Sequence, residues 1–209
     1  MTHLKSSLSL ALGLLTVAAL HAQTPPAAPA GFLGQKYTEL GFGLNDRQHD
    51  SNHGYGLRAL ANTPILPGEV DSGGSYTYNW NGGSLRSHSH TLAGYATAYV
   101  PVQGVKPFVN AGLGWRWTSA PFNGTENRPL WDASTGVEIP VGGVTLTPRI
   151  TYEDDFKRTR KSRQAWVCAV EASYWVSKES AVFGSFGKSD VRNSPADAWV
   201  YQIGLRARL

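Results

Sequence analysis

The last stretch of the chain, Trp199–Leu209, reads "WVYQIGLRARL", and its interpretation decides the fold. Strand side chains alternate, so Trp199, Tyr201, Ile203, Leu205, Ala207 and Leu209 share one face. Val200, Gln202, Gly204, Arg206 and Arg208 share the other. An apolar face of this length needs something against it. In a water-soluble domain that is a layer of helices or a second sheet. No segment of the sequence shows sustained helical periodicity.

The same alternation recurs upstream. In "VTLTPRITYE", Val144, Leu146, Pro148, Ile150 and Tyr152 oppose Thr145, Thr147, Arg149, Thr151 and Glu153. In "PFVNAGLGWRW", Val109, Ala111, Leu113, Trp115 and Trp117 oppose Asn110, Gly112, Gly114 and Arg116. Marking every such run gives ten strands: 36–45, 54–63, 70–80, 88–101, 106–118, 130–141, 144–154, 164–176, 180–189 and 198–209. The third and ninth carry the weakest pattern, and without them the count is eight.

Connections alternate as regularly as side chains. "TPILPGE", "PVQGVK", "VGGV" and "SKES" are short, whereas "NDRQHDSNH", "NGGSLRS", "SAPFNGTENRP", "FKRTRKSR" and "DVRNSPAD" are longer and more polar. All short turns therefore lie at one end of the strands and all long loops at the other. Strands of this length, apolar outside and polar inside, with alternating loop lengths, predict an all-β closed antiparallel transmembrane β-barrel. Lipid is then the cover for the apolar face, and closure pairs every backbone group. Tryptophan placement agrees with this reading. Trp80, Trp115, Trp117, Trp131, Trp166 and Trp199 all fall at long-loop ends, the height of a membrane interface. Trp175, with Tyr174, Tyr99 and Phe183 at matching heights, is expected to mark the short-turn interface.

The chain of 209 residues has a formal charge of +4 and a mean hydropathy of −0.27. It opens "MTHLKSSLSLALGLLTVAALHAQ", where Lys5, the apolar run from Leu8 to Leu20 and Ala22 have the layout of a secretory signal peptide over 1–22. Residues 23–35, rich in Pro and Ala, read as a linker, leaving 36–209 for the barrel. No run of about 18 apolar residues offers a membrane helix. The single cysteine, Cys168, falls on the outward face far from the cleavage point, so neither a lipid anchor nor a disulfide framework is expected.

On these features the chain resembles the small bacterial outer-membrane β-barrel proteins, the OmpA-like and OmpX-like group, over 36–209. The specific residues are in the closing strand, at the positions of that group's assembly signal: Gln202, Gly204, Ala207 and Leu209. The last two are commonly aromatic in the group, so Ala207 and Leu209 depart from its pattern. The resemblance implies insertion into the cell outer membrane by the assembly machinery, long loops outside and short turns in the periplasm. It implies no single activity, because the architecture hosts adhesins, enzymes, pores and structural barrels.

The inward face carries Glu39, Arg58, Arg116, Asp132, Glu138, Arg149, Glu153, Glu171, Lys188, Arg206 and Arg208. A barrel of about ten strands is little wider inside than its own side chains, so these charges are expected to pair and plug the lumen. The alternative is a small ion-conducting pore. In the fourth long loop Lys157, Arg158, Arg160, Lys161 and Arg163 form a basic run. It reads either as a solvated loop or as a contact for the phosphates of lipopolysaccharide. No nucleic-acid partner is expected.

Chemistry at the outer end is not indicated. His49, His53, His88 and His90 gather there with Asp46 and Asp50, but their spacing fits no standard metal site. "HSH" over 88–90 invites a hydrolase reading, since lipid A deacylases of this architecture use a His and a Ser on a strand. Adjacent residues face opposite sides, so His88 and Ser89 cannot meet there. Asp154 and Asp155 lie at the height where barrel proteases place their acids, on strands too short to project far. The expected protein is a non-enzymatic barrel with a structural or surface-interaction role, without cofactor or metal.

Overall fold

The computed structural model describes residues 31–47, 53–82, 87–120, 124–156, 164–192 and 197–209. The predicted signal peptide and the basic run at 157–163 lie outside the described residues. Ten antiparallel strands form one closed barrel: β1 (Tyr37–Arg47), β2 (Gly54–Leu66), β3 (Val70–Asn81), β4 (His88–Tyr99), β5 (Lys106–Ala120), β6 (Gly124–Val141), β7 (Val144–Asp155), β8 (Gln164–Trp175), β9 (Ser180–Val191) and β10 (Ala198–Arg208). Both strands of weakest pattern, β3 and β9, are present, so the count is ten. Each strand pairs with its sequence neighbours, and β1 closes on β10 from Tyr37↔Arg208 to Arg47↔Ala198. No edge is left to pair with another chain.

Alternation follows the expected faces on most strands. Leu113 on β5 is 65% exposed and Leu205 on β10 is 62% exposed, whereas Arg206 between the β10 apolar residues is buried. Leu40, Leu57, Leu92, Val109, Ile150, Val170 and Ile203 continue the band. An apolar surface that encircles a molecule is untenable in water and suited to lipid.

Three features differ from the sequence expectation. Strand β6 begins at Gly124, not Leu130, because "GTENRP" has loop composition yet pairs along β5, from Ala120↔Gly124 to Trp115↔Pro129. On β9 the parity is reversed. Ala181, Phe183, Gly187 and Ser189 are buried inward, while Phe186 and Lys188 are exposed. Small residues and a Phe occur on both parities of "SAVFGSFGKSDV", so alternation does not choose between them. The partner strands do: Lys188 pairs with Trp199 on one side and Cys168 on the other, both outward. The third difference is at the short-turn end. Tyr99, Trp175 and Phe183 are not an interfacial girdle but are buried in the lumen.

Candidate functional site: the lumen

The reason for that inward aromatic cluster is the chain preceding β1. Gly31 and Gly34 have φ of +81° and +84°, a left-handed backbone suited to glycine. A side chain at Gly31 would run into the Glu138 carboxylate. These turns fold residues 31–35, the end of the stretch read as linker, into the short-turn mouth of the barrel. Phe32 is buried there, stacked on Trp175 with ring centroids 4.8 Å apart and edge-on to Tyr37 at 5.6 Å. Its neighbours are bonded to the wall. The Phe32 N–H donates to Glu138 Oε1 (2.8 Å) and the Leu33 N–H to the same oxygen (3.1 Å). The Gly34 N–H donates to Asp71 Oδ2 (2.9 Å). Lys106 Nζ donates to the Leu33 carbonyl (2.8 Å) and Asn62 Nδ2 to that of Gln35 (2.9 Å). Backbone groups that water would otherwise satisfy are thus held by strands β2, β3, β5 and β6.

A charge layer lies next to this segment. Arg206 Nε donates to Glu39 Oε2 (2.8 Å), and its NH1 sits 2.6 Å from Glu171 Oε1 and 3.1 Å from Ser173 Oγ. The guanidinium carbon lies 4.3 Å from the Phe32 ring centroid and 4.5 Å from that of Phe183, so aromatic faces sandwich the cation. Arg208 covers Trp175 in the same way at 4.4 Å. Arg58 NH1 approaches Glu39 Oε1 only to 3.7 Å. Towards the long-loop end, Arg116 NH2 binds Glu153 Oε1 (2.8 Å). Beyond it, Arg128 bridges Glu126 (2.7 Å) and Asp155 (3.1 Å).

Of the charges expected inside, Glu39, Arg58, Arg116, Asp132, Glu138, Arg149, Glu153, Glu171, Arg206 and Arg208 face the lumen. Lys188 does not. Nor does the whole set pair among itself: Glu138 holds backbone N–H groups instead. The sequence reading missed Asp71, Lys106, Glu126, Arg128 and Asp155. Lys106 and Asp71 share the parity of inward neighbours, a signal that was available; Arg128 and Glu126 were hidden in an apparent loop.

A closed antiparallel barrel with an apolar exterior, a charged interior and no helix in the wall decides the class. The fold is that of a small outer-membrane β-barrel. No protein-family model and no curated protein matches the sequence. Among solved structures, the translocator domain of the autotransporter NalP from Neisseria meningitidis aligns with a TM-score of 0.50 at 7% identity, covering 100% of this chain and 98% of that one. Neisserial surface protein A aligns with a TM-score of 0.47 at 15% identity, covering 83% of this chain and 96% of that one. An outer-membrane channel from Pseudomonas putida F1 gives 0.48 at 8% identity, covering 90% and 100%.

On the outside of the barrel, the long-loop ends carry the aromatic belt. Trp80 stacks with Tyr55 and Tyr78, Tyr152 lies between Trp131 and Trp166, and Trp199 stacks on Phe186. His88 and His90 belong to it, with the Tyr76 hydroxyl 2.6 Å from His90 Nδ1. Ser89, between them in sequence, has the lumen-facing parity of Thr91, so no His–Ser pair forms on this strand. His53 pairs with Asp46 at 3.2 Å; His49 and Asp50 lie outside the described residues. Among the described residues no group of three potential metal ligands converges. Asp154 faces outward, accepting hydrogen bonds from Tyr152 and Gln164 (both 3.1 Å), whereas Asp155 faces inward to Arg128. In the closing strand, Gln202 and Gly204 face inward and Ala207 and Leu209 outward. A side chain at Gly204 would strike the Leu40 backbone and the Phe183 ring.

Proposed function

We propose that the chain is exported by its N-terminal segment, inserted into the outer membrane by the assembly machinery, and serves there as a closed-lumen barrel with a structural or surface-interacting role. The observation that carries this reading is the built-in stopper: Phe32 stacked on Trp175, its backbone held by Glu138, beside the Arg206–Glu39–Glu171 layer. Ions crossing the barrel would have to pass a buried aromatic stack and a buried ion-pair layer, both of which exclude water. Gln202, Gly204, Ala207 and Leu209 serve as the assembly signal in this reading.

The test is electrical. Reconstituted in a planar bilayer, the protein is expected to show no steady conductance. Stable unit steps would favour the second reading, a small ion-conducting pore. That reading has one observation of its own: the Arg58 side chain is 29% exposed, so water reaches the middle of the lumen. An outer-membrane hydrolase has no corresponding site among the described residues. For the outer surface we assign Lys157, Arg158, Arg160, Lys161 and Arg163 to contact with lipopolysaccharide phosphates, on the strength of their charge alone.

A further inference from the structure

The lipid-facing side of β9, β10 and β1 carries a step near the short-turn end. Val182, Leu205 and Leu40 stand side by side across these strands, and Leu205 and Leu40 are both 62% exposed. One outward position closer to the short turns, the same strands place Ser180, Ala207 and Thr38 in register. Small side chains beneath large ones leave a groove of about 350 Å³, walled by Leu40, Leu205 and Val176 and floored by Ala207, with the row Glu39, Arg206 and Ala181 behind it. Ala207 occupies a position that is commonly aromatic in small outer-membrane barrels, and an aromatic ring there would fill the groove.

The rim of the groove is basic. Lys178 sits in the turn that joins Val176 to Ser180, and Lys36 precedes β1, two residues before Thr38. Backbone bonds hold both against β10: the Leu209 N–H donates to the Lys36 carbonyl (3.0 Å), and the Arg208 N–H to the Glu179 carbonyl (2.7 Å). The two lysines therefore flank the end of β10, one on each side. Both are exposed, and neither forms an ion pair with a described residue. Glu179 is the acid of the same turn. Arg208 is turned away, covering Trp175 and donating from NH1 to the Lys178 carbonyl. Between the lysines and the leucines, the Thr38 and Ser180 hydroxyls have no hydrogen-bond partner among the described residues.

We propose that this groove retains a single anionic phospholipid from the leaflet at the short-turn end. Its phosphate lies between Lys36 and Lys178, the Thr38 and Ser180 hydroxyls donate to its ester oxygens, and the start of an acyl chain runs over Ala207 beneath Leu40 and Leu205. Ammonium-to-phosphate attraction and burial of a hydrocarbon chain have separate physical origins, and a lipid that satisfies both at once is held against exchange with its neighbours. A zwitterionic headgroup carries its own cation, which competes with the lysines for the phosphate. The preference is therefore for a net negative headgroup. The site rests on the barrel lying in a bilayer and is independent of whether its lumen is closed.

The experiment refolds the full-length mature protein in detergent micelles, adds phosphatidylglycerol or phosphatidylethanolamine, and counts retained lipid by native mass spectrometry. A single phosphatidylglycerol per barrel is expected at concentrations where phosphatidylethanolamine is not retained. Ala207→Phe should abolish that retention while heat-modifiable mobility on a gel persists. The double variant Lys36→Gln with Lys178→Gln changes only exposed side chains, and it should weaken phosphatidylglycerol retention by roughly tenfold, the loss of charge-assisted contacts. Equal retention of the two lipids, no retention of either, or unchanged retention in a folded variant of either kind would overturn the site. Lipid-free dimers that dissociate in Ala207→Phe would assign the groove to a second copy of this chain and overturn it as well. Conductance of the same preparation keeps the two readings apart. A conducting barrel that retains phosphatidylglycerol loses the closed lumen and keeps the site, whereas a silent barrel without retained lipid does the reverse.

Discussion

Glu39 and Arg206 are direct cross-strand partners at the seam where the first strand meets the last, and their side chains join at 2.8 Å across 167 residues of sequence. The pair therefore ties barrel closure to the lumen filling. Glu171 and Ser173 from β8 bind the same guanidinium, so three strands converge on one cation.

Removing that cation strands two buried carboxylates. Arg206→Met should destabilise the barrel by about 3–5 kcal/mol, the scale for breaking a buried pair by deleting one partner. Replacing Glu39 and Glu171 by Gln in the same chain should recover much of the loss. Urea unfolding in lipid vesicles, followed by tryptophan fluorescence, measures both variants; equal stability of Arg206→Met and the unmodified protein would contradict the pairing.

The stopper can be pulled. Phe32→Asp places a charge between Trp175 and Arg206, and deletion of 31–35 removes the segment and its bonds to Glu138, Asp71 and Lys106. Both variants should still shift mobility on heating in a gel, because the ten-strand ladder is untouched. In planar bilayers both should show a leak absent from the unmodified protein. Silence from the deletion variant would mean that the Arg206 layer alone closes the lumen.

Outward and inward faces should respond unequally to charge. Leu113→Arg places a cation on the lipid side at mid-membrane height and should cost about 2–4 kcal/mol. Asn110→Arg, on the lumen side where Asn110 now binds Thr97 at 2.7 Å, should cost less. Lys188→Leu should be neutral or stabilising in bilayers, because Lys188 is exposed on the lipid-facing parity beside Trp199. Destabilisation by that change would restore an inward Lys188.

The basic run of the fourth long loop should act collectively. Each exposed contact to phosphate is worth about 0–1 kcal/mol and is screened by salt. Changing Lys157, Arg158, Arg160, Lys161 and Arg163 to Gln should lower co-purified lipopolysaccharide at low ionic strength without affecting heat-modifiable mobility. Equal retention by both proteins would leave the run as a solvated loop.

The sequence by itself determined the barrel. Period-two alternation in strands such as β5, β7 and β10, tryptophans at one height and connections of alternating length each follow from local chemistry repeated along the chain, and lipid makes that chemistry strict. It also put Glu39, Glu171 and Arg206 on the inside. Only the tertiary structure decided which charges meet, because ion pairs form across strands whose register no local pattern states. The face of Lys188 was settled by its neighbours Cys168 and Trp199, the start of β6 by pairing with β5, and the role of Phe32 by a cavity that exists only once ten strands close around it.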